Sequence, residues 1–316
     1  MIIHNGAQVH WVLEYSTLRA ANVLSTVELV ELCALNNPKR MVFISSTAVL
    51  DTRYYLNPAN IPEGGLLESD PLAESAKGLP TGYGQTKWVS EGLLRDAGER
   101  GLRGVILRPG YVTGETQEGT TITDDFLVRI LKGCIQLGAY PDLGDDNYIN
   151  MMPVDGVSRL CIAAAMDSAT EMPLLNTVNR TLTFNTYLSV LPQVGFSVEK
   201  VDYEVWRTKL EQYVQVSGDS KGEEHALLPL YHLAVSDLPL DSRSPVLSVA
   251  NTNKLVKSAS LNPGMPSVDQ SILARYLAYL VAIGFVAAPA NSSLPSIKLS
   301  QGRRDALAKV EGRGKI

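Results

Sequence analysis

The sequence predicts an α/β protein: part of a doubly wound parallel sheet, followed by a mostly helical C-terminal part. Three observations carry this. Short apolar runs rich in β-branched residues, MIIH (1–4), MVFISS (41–46) and GVILRPG (104–110), read as buried strands. Amphipathic stretches of helical length separate them. Each run ends in small or polar residues, Asn5-Gly6-Ala7, Ser45-Ser46-Thr47 and Arg108-Pro109-Gly110. In an open parallel sheet ligands bind at the carboxyl ends of the strands, so these ends should line one crevice.

The elements follow in order. After MIIH, Asn5-Gly6 signals a turn. Residues 16–35 place Leu18, Ala21, Val23, Leu24, Val27, Val30 and Leu32 at helical spacing, and Pro38 closes the helix. Residues 51–80 are Pro- and Gly-rich and read as a long loop, a length that in compact domains usually carries function. A helix runs from Tyr83 to about Gly101, then the third strand. Beyond it, TDDFLVRILKGCIQLG (123–138) reads as a capped helix, with Thr123 or Asp124 near its start and Gly138 after its end. PVDGVSRLCIAAAM (153–166) opens another helix on proline and an acid. Short strands around a helix are expected over 173–201, and helices over 204–234 and 268–284. The basic tail after Gln301 reads as frayed. The sheet part spans 1–150 and the helical part 151–316.

Composition narrows the function classes. The 316 residues carry a net charge of −5, which argues against a nucleic-acid surface. No apolar run is long enough to span a bilayer, and the N-terminus lacks a secretory pattern. Three widely spaced cysteines, Cys33, Cys134 and Cys161, read as buried thiols in a reducing, cytoplasmic compartment. The four histidines make no metal-ligand spacing with them, so no metal is expected.

Chemistry concentrates in TGYGQTKWVSEG (81–92), where Tyr83 stands four residues before Lys87 and the two share a helix face. Ser46 ends the preceding strand. Delivering a hydride to a carbonyl builds negative charge on its oxygen, which needs a hydrogen bond and a proton donor. Ser46 can fix the oxygen, with Thr47 a second candidate. Tyr83 can donate the proton, and a cation one turn away is expected to lower its pKa. Lys87 can also hold a cofactor ribose.

Ser46, Tyr83 and Lys87 resemble the Ser/Thr…Tyr-x-x-x-Lys set of the extended short-chain dehydrogenase/reductase superfamily, a Rossmann-like fold. Asn22 sits where that superfamily often has a fourth polar residue. His4-Asn5-Gly6-Ala7 resembles its cofactor-supporting strand end. Leu107 to Gly114 (LRPGYVTG) resembles the turn beside the nicotinamide, and PVDGV (153–157) a later helix start. The resemblance implies cofactor contacts from Asn5, Gly6, Ala7, Asn22, Lys87, Pro109, Gly110, Tyr111 and Val112, and makes 1–150 a partial NAD(P)-binding region and 151–316 a substrate-binding one.

HNGAQVHWV, SSTAVLDTRYY, the stretch from Gly82 to Gly114, TDDFLVRILKGCIQLG and LPSIKLSQ are further similar to the C-terminal thioester reductase region of the fungal L-2-aminoadipate reductases. The chemistry implied is NADPH-dependent release of a semialdehyde, in lysine biosynthesis, from an aminoadipyl thioester. The phosphopantetheine arm and the adenylation and carrier regions would belong to a parent protein. Asp51, Tyr54 and Tyr55 would help shape the way in for arm and substrate.

One departure stands out. No G-x-x-G-x-x-G precedes residue 100, so the loop that places a pyrophosphate on a helix N-terminus is not in this sequence. The expectation is a fragment whose MIIH strand is an apolar sheet edge and which alone binds NADPH weakly. Preference for NADPH over NADH does not follow from these residues. The competing functions are a non-catalytic remnant or interaction module, a terminal reductase of a peptide synthetase or carboxylic acid reductase, and a sugar-nucleotide epimerase or dehydratase of the same superfamily.

Overall fold

The computed structural model describes residues 1–167, 173–178, 181–218, 224–236, 238–241, 243–261, 265–297 and 299. The tail beyond Gln301 lies outside them. The chain divides into two compact units that interleave in sequence: residues 1–112, 150–181 and 244–267 form the first, and 113–149, 182–243 and 268–316 the second.

The first unit is organised by β1 (Ile2–His4), β2 (Met41–Ile44), β3 (Gly104–Arg108) and β8 (Leu174–Asn176), all parallel in the order β1-β2-β3-β8. Between β1 and β2 run α1 (Tyr15–Arg19) and α2 (Ser25–Ala34), joined by one π-helical turn at Ala20–Leu24. Between β2 and β3 lie α3 (Arg53–Leu56), 3-10 turns at Pro58–Asn60 and Ala73–Lys77, and α4 (Gly82–Glu99).

Strand alternation explains the two-sided core. Met41, Phe43 and Ile106 face Cys33 of α2 and Leu94 of α4. Val42, Val105 and Leu107 face Leu160 and Ala164 of α6 (Val154–Met166) and Leu255 of α12 (Ala250–Ser258). Each such leucine contributes roughly 1.5–3 kcal/mol by leaving water. The sheet order ends at β1, where Ile3 is 48% exposed. A further pairing joins β4 (Tyr111–Thr113) to β7 (Met151–Pro153).

In the second unit, α5 (Phe126–Leu137) starts on the Asp125 side chain, which accepts from Leu127 N at 2.8 Å, and stops at Gly138 with φ 63°. The cap is Asp125, whose backbone is extended, next to the Thr123 or Asp124 that the sequence places near the start. β5 (Ala139–Asp142) pairs with β10 (Glu199–Asp202), and β6 (Tyr148–Ile149) with β9 (Leu182–Thr183). The remaining helices are α7 (Phe184–Leu188), α8 (Val190–Gln193), α9 (Tyr203–Gly218), α10 (Tyr231–Val235), α11 (Leu238–Asp241) and α13 (Gln270–Ala282). Phe126, Phe184, Tyr187 and Trp206 are buried in this unit's core.

Two local features differ from the sequence reading. The 51–80 segment is not plain loop: Thr52 and Asn57 accept backbone N–H groups from Tyr55 and Ala59 and start single helical turns. Such turns are too short to show a periodicity. The helix over 15–34 contains the π turn, which apolar spacing does not reveal. Cys33 and Cys134 are buried free thiols, and Cys161 is half-buried. No helix among the described residues is long and apolar enough to cross a membrane.

Candidate active site

Parallel strands bring their carboxyl ends to one edge of the sheet, and the predicted strand ends meet there. The β2 ladder runs on past its last residue: Ser45 N donates to Leu107 O at 2.7 Å and Thr47 N to Pro109 O at 2.8 Å. Ser46 is thereby held extended beside the third strand. Its hydroxyl accepts from Ala48 N at 3.1 Å, opening a 3-10 turn over Thr47–Leu50, and it acts on the Tyr83 phenol by lowering its pKa.

Helix α4 delivers Tyr83 by close backbone approach. Thr81 caps it, accepting from Gly84 N at 3.1 Å. A Cβ at Gly82 would lie 2.4 Å from Leu13 O, and one at Gly84 would lie 2.7 Å from Ala48 O. Glycine at 84 lets the helix start against the Ser46 turn, and glycine at 82 lets it pass close to the backbone of Leu13 to Tyr15.

Lys87 follows one turn later and is 4% exposed. Its Nζ donates to Ile44 O at 2.6 Å and lies 4.7 Å from the Phe43 ring centroid and 5.8 Å from that of Tyr83. Burial lowers its pKa to about 8, opposed by the charge of Glu91. The expectation that Lys87 lowers the Tyr83 pKa is not met: burial raises that pKa, and the opposing contribution is the hydrogen bond from Ser46. The ammonium is turned to the Ile44 carbonyl, and desolvation of the phenol outweighs it.

Asn22 is 3% exposed and lies in the π turn. Its amide accepts from Gln8 N at 2.7 Å and donates to Gln8 O and Thr86 Oγ1, both at 3.0 Å. Its backbone carbonyl accepts from Thr26 Oγ1 (2.9 Å) and Ser90 Oγ (3.1 Å). Asn22 thus ties the turn after β1 to α4. Asn5 and Gly6 are exposed and Ala7 half-exposed, with Gly6 meeting only the His4 ring. His4 bonds Thr26 Oγ1 at 3.0 Å, and burial, then the Lys87 charge, lower its pKa. Pro109 is buried, Gly110 and Tyr111 are half-buried, and Val112 is exposed. Tyr111 N donates to Asn150 O at 2.8 Å.

Sequence reasoning missed the buried polar network behind these groups. Glu91, one turn past Lys87, accepts from Arg108 at both carboxylate oxygens (Nε–Oε1 3.1 Å, Nη2–Oε2 2.6 Å) and from Ser45 Oγ at 2.6 Å. Arg108 Nη1 donates to Asn176 Oδ1 at 3.2 Å. Glu68, in the 51–80 segment, accepts from Asn176 N (3.0 Å) and Asn251 N (2.6 Å). The available signal was an acid at i+4 from Lys87 on the inward stripe of α4. Of the residues expected to shape the way in, Tyr54 is exposed. Tyr55 is 2% exposed and donates to Asp70 Oδ1 at 3.1 Å.

Residues 1–161 match the model of an NAD-binding family described as male sterility protein. The chain belongs to this family. It is 41% identical to the L-2-aminoadipate reductase of Schizosaccharomyces pombe over 99% of its own length and 22% of that protein's. It is 42% identical to the L-2-aminoadipate reductase large subunit of Penicillium chrysogenum, over 99% of its length and 23% of that one's. It therefore spans under a quarter of these curated relatives. Among solved structures, the terminal R domain from the myxalamid PKS-NRPS biosynthetic pathway superposes with a TM-score of 0.78 at 30% identity, covering 91% of this chain and 69% of that one. The fold is that of the extended short-chain dehydrogenase/reductase type seen in such R domains.

Proposed function

We propose that this chain is the catalytic part of a thioester reductase that releases an aminoadipyl group from a phosphopantetheine arm as the semialdehyde, with NADPH as reductant. The observation that carries it is Tyr83 in the first turn of α4, packed by Gly84 against the turn that Ser46 opens at the carboxyl edge of the sheet, with Lys87 one turn behind. The substrate and the carrier and adenylation partners are inferred from the curated relatives' names and their greater length. The free thiols fit the reducing cytoplasm.

The residues suit the nicotinamide–ribose half of the cofactor. The exposed backbone of Asn5 and Gly6 and the turn from Gly110 to Val112 offer the cradle, and Lys87 the cation for a ribose hydroxyl. A bound reduced nicotinamide supplies the hydride. Ser46 donates a hydrogen bond to the substrate oxygen, and Tyr83 gives up its proton where negative charge develops. Asn22 holds the strand-end turn against α4, so that cradle and proton donor keep one geometry. On this proposal residues 1–150 serve the cofactor and 151–316 draw in the substrate.

The test supplies the longest product of the gene with NADPH and an aminoadipyl-loaded carrier, and traps the aldehyde for mass spectrometry. Semialdehyde formation supports the proposal. NADPH oxidation with other acyl thioesters but not this one would move the substrate to another acid.

A further inference from the structure

Thr86 stands between Tyr83 and Lys87 in the sequence, and the reduction just described gives it no part. It is 0% exposed. Its hydroxyl accepts from Asn22 Nδ2 at 3.0 Å and donates to Tyr83 O at 2.8 Å. Both directions are fixed. Gln8 N donates to Asn22 Oδ1, so the amide atom facing Thr86 is the nitrogen, which can only donate. The single proton of the Thr86 hydroxyl is then left for the Tyr83 carbonyl.

A helical threonine often bonds a carbonyl one turn back. Here the same oxygen is also tied to a residue 64 positions away. A run of hydrogen bonds therefore leads from Gln8, in the turn after β1, through Asn22 and Thr86 to the backbone of Tyr83. Tyr83 lies in the first turn of α4, and helix ends fray. Gly82 and Gly84 set that turn by close contact, against Leu13 to Tyr15 and against Ala48. Thr86 adds a directional bond to the residue between them.

We propose that Thr86 is a positioning residue for Tyr83: its buried hydroxyl, oriented by Asn22, holds the Tyr83 backbone at the helix start and so fixes where the phenol meets the substrate oxygen. The role needs the hydroxyl and not the methyl. Serine should serve, and valine, which has the shape of threonine without its hydroxyl, should not. A purely structural role, pinning α4 to the π turn, would change stability and leave Tyr83 where it is.

The proposal rests on the reading of Tyr83 as proton donor, but one arm of its test needs no catalysis. ¹³C-tyrosine labels the chain, Tyr83→Phe identifies the Tyr83 ring signal, and NMR compares the variants. In Thr86→Val the Tyr83 signal should shift, while Tyr55, buried in the same unit, keeps its own. Thr86→Ser should restore the wild-type signal. Where Thr86→Val does not fold, Asn22→Leu is compared with Asn22→Leu plus Thr86→Val. That pair differs only in the hydroxyl, and the exposed Gln8 can turn its backbone groups to water. An unchanged Tyr83 signal in a folded variant overturns the proposal and leaves the reductase reading standing. In the reductase assay Thr86→Val should lower kcat by up to about 10²-fold with the KM for NADPH unchanged, and Thr86→Ser should recover it. Equal losses in the valine and serine variants overturn the proposal. A shifted Tyr83 signal in a protein that reduces nothing supports it and counts against the reductase reading alone.

Discussion

Arg108, at the end of the third strand, grips Glu91 of α4 through two hydrogen bonds of 3.1 and 2.6 Å, with both side chains sealed from water. The pair spans sheet and helix beneath the candidate proton donor. Removing one partner leaves the other charged and buried without its two-point partner. Arg108→Ala or Glu91→Ala should therefore lower stability by about 3–5 kcal/mol. The paired change Arg108→Met with Glu91→Leu should recover most of it, read from urea midpoints at constant m.

Lys87 makes stability depend on pH. Its pKa is about 8 in the fold against the ordinary lysine value of 10.5, so the unfolded chain holds the proton more tightly. Below pH 8 the fold buries an ammonium at a cost of up to about 3 kcal/mol. As pH rises from 8 to 10.5 the folded chain sheds that proton first, and the cost disappears. Lys87→Met should be more stable than wild type at pH 7, with the difference vanishing by pH 10.5. Paired denaturation curves across that window check it.

Gly82 and Gly84 should not tolerate a methyl group. Their Cβ positions fall 2.4 Å and 2.7 Å from backbone oxygens, so alanine at either should cost about 3 kcal/mol and displace Tyr83. Gly92, on the same helix, has nothing within 4 Å of its Cβ position. Gly92→Ala should instead stabilise by about 0.5–1 kcal/mol. Thermal melts of the three variants separate close approach from helix propensity.

Asn22→Ala removes both bonds to Gln8 and the bond to Thr86. It should cost about 1–3 kcal/mol. Amide exchange should quicken at Gln8, whose N–H loses its partner, and leave β3 unchanged.

Strands that alternate around a buried sheet announce themselves, and so MVFISS and GVILRPG were legible. Tyr83 and Lys87 were legible as a pair because helix geometry fixes where i and i+4 fall. Their electrostatics were not, since nothing in the spacing places the Ile44 carbonyl 2.6 Å from Lys87 Nζ. Glu91 and Arg108 are 17 positions apart, Arg108 and Asn176 68 apart, and only tertiary packing joins them. The π turn at Asn22 stayed hidden for a similar reason. It answers to hydrogen bonds with Gln8, in the turn after β1, and with Thr86 and Ser90 of α4.

The central claim is that Tyr83, at the helix start beside the Ser46 turn, is the proton donor of a carbonyl reduction. Steady-state NADPH oxidation by the longest product of the gene, compared between wild type and Tyr83→Phe, tests it most directly. The account predicts a loss of about 10²–10⁴-fold in kcat with the fold intact by circular dichroism. Equal rates in the two proteins would contradict it.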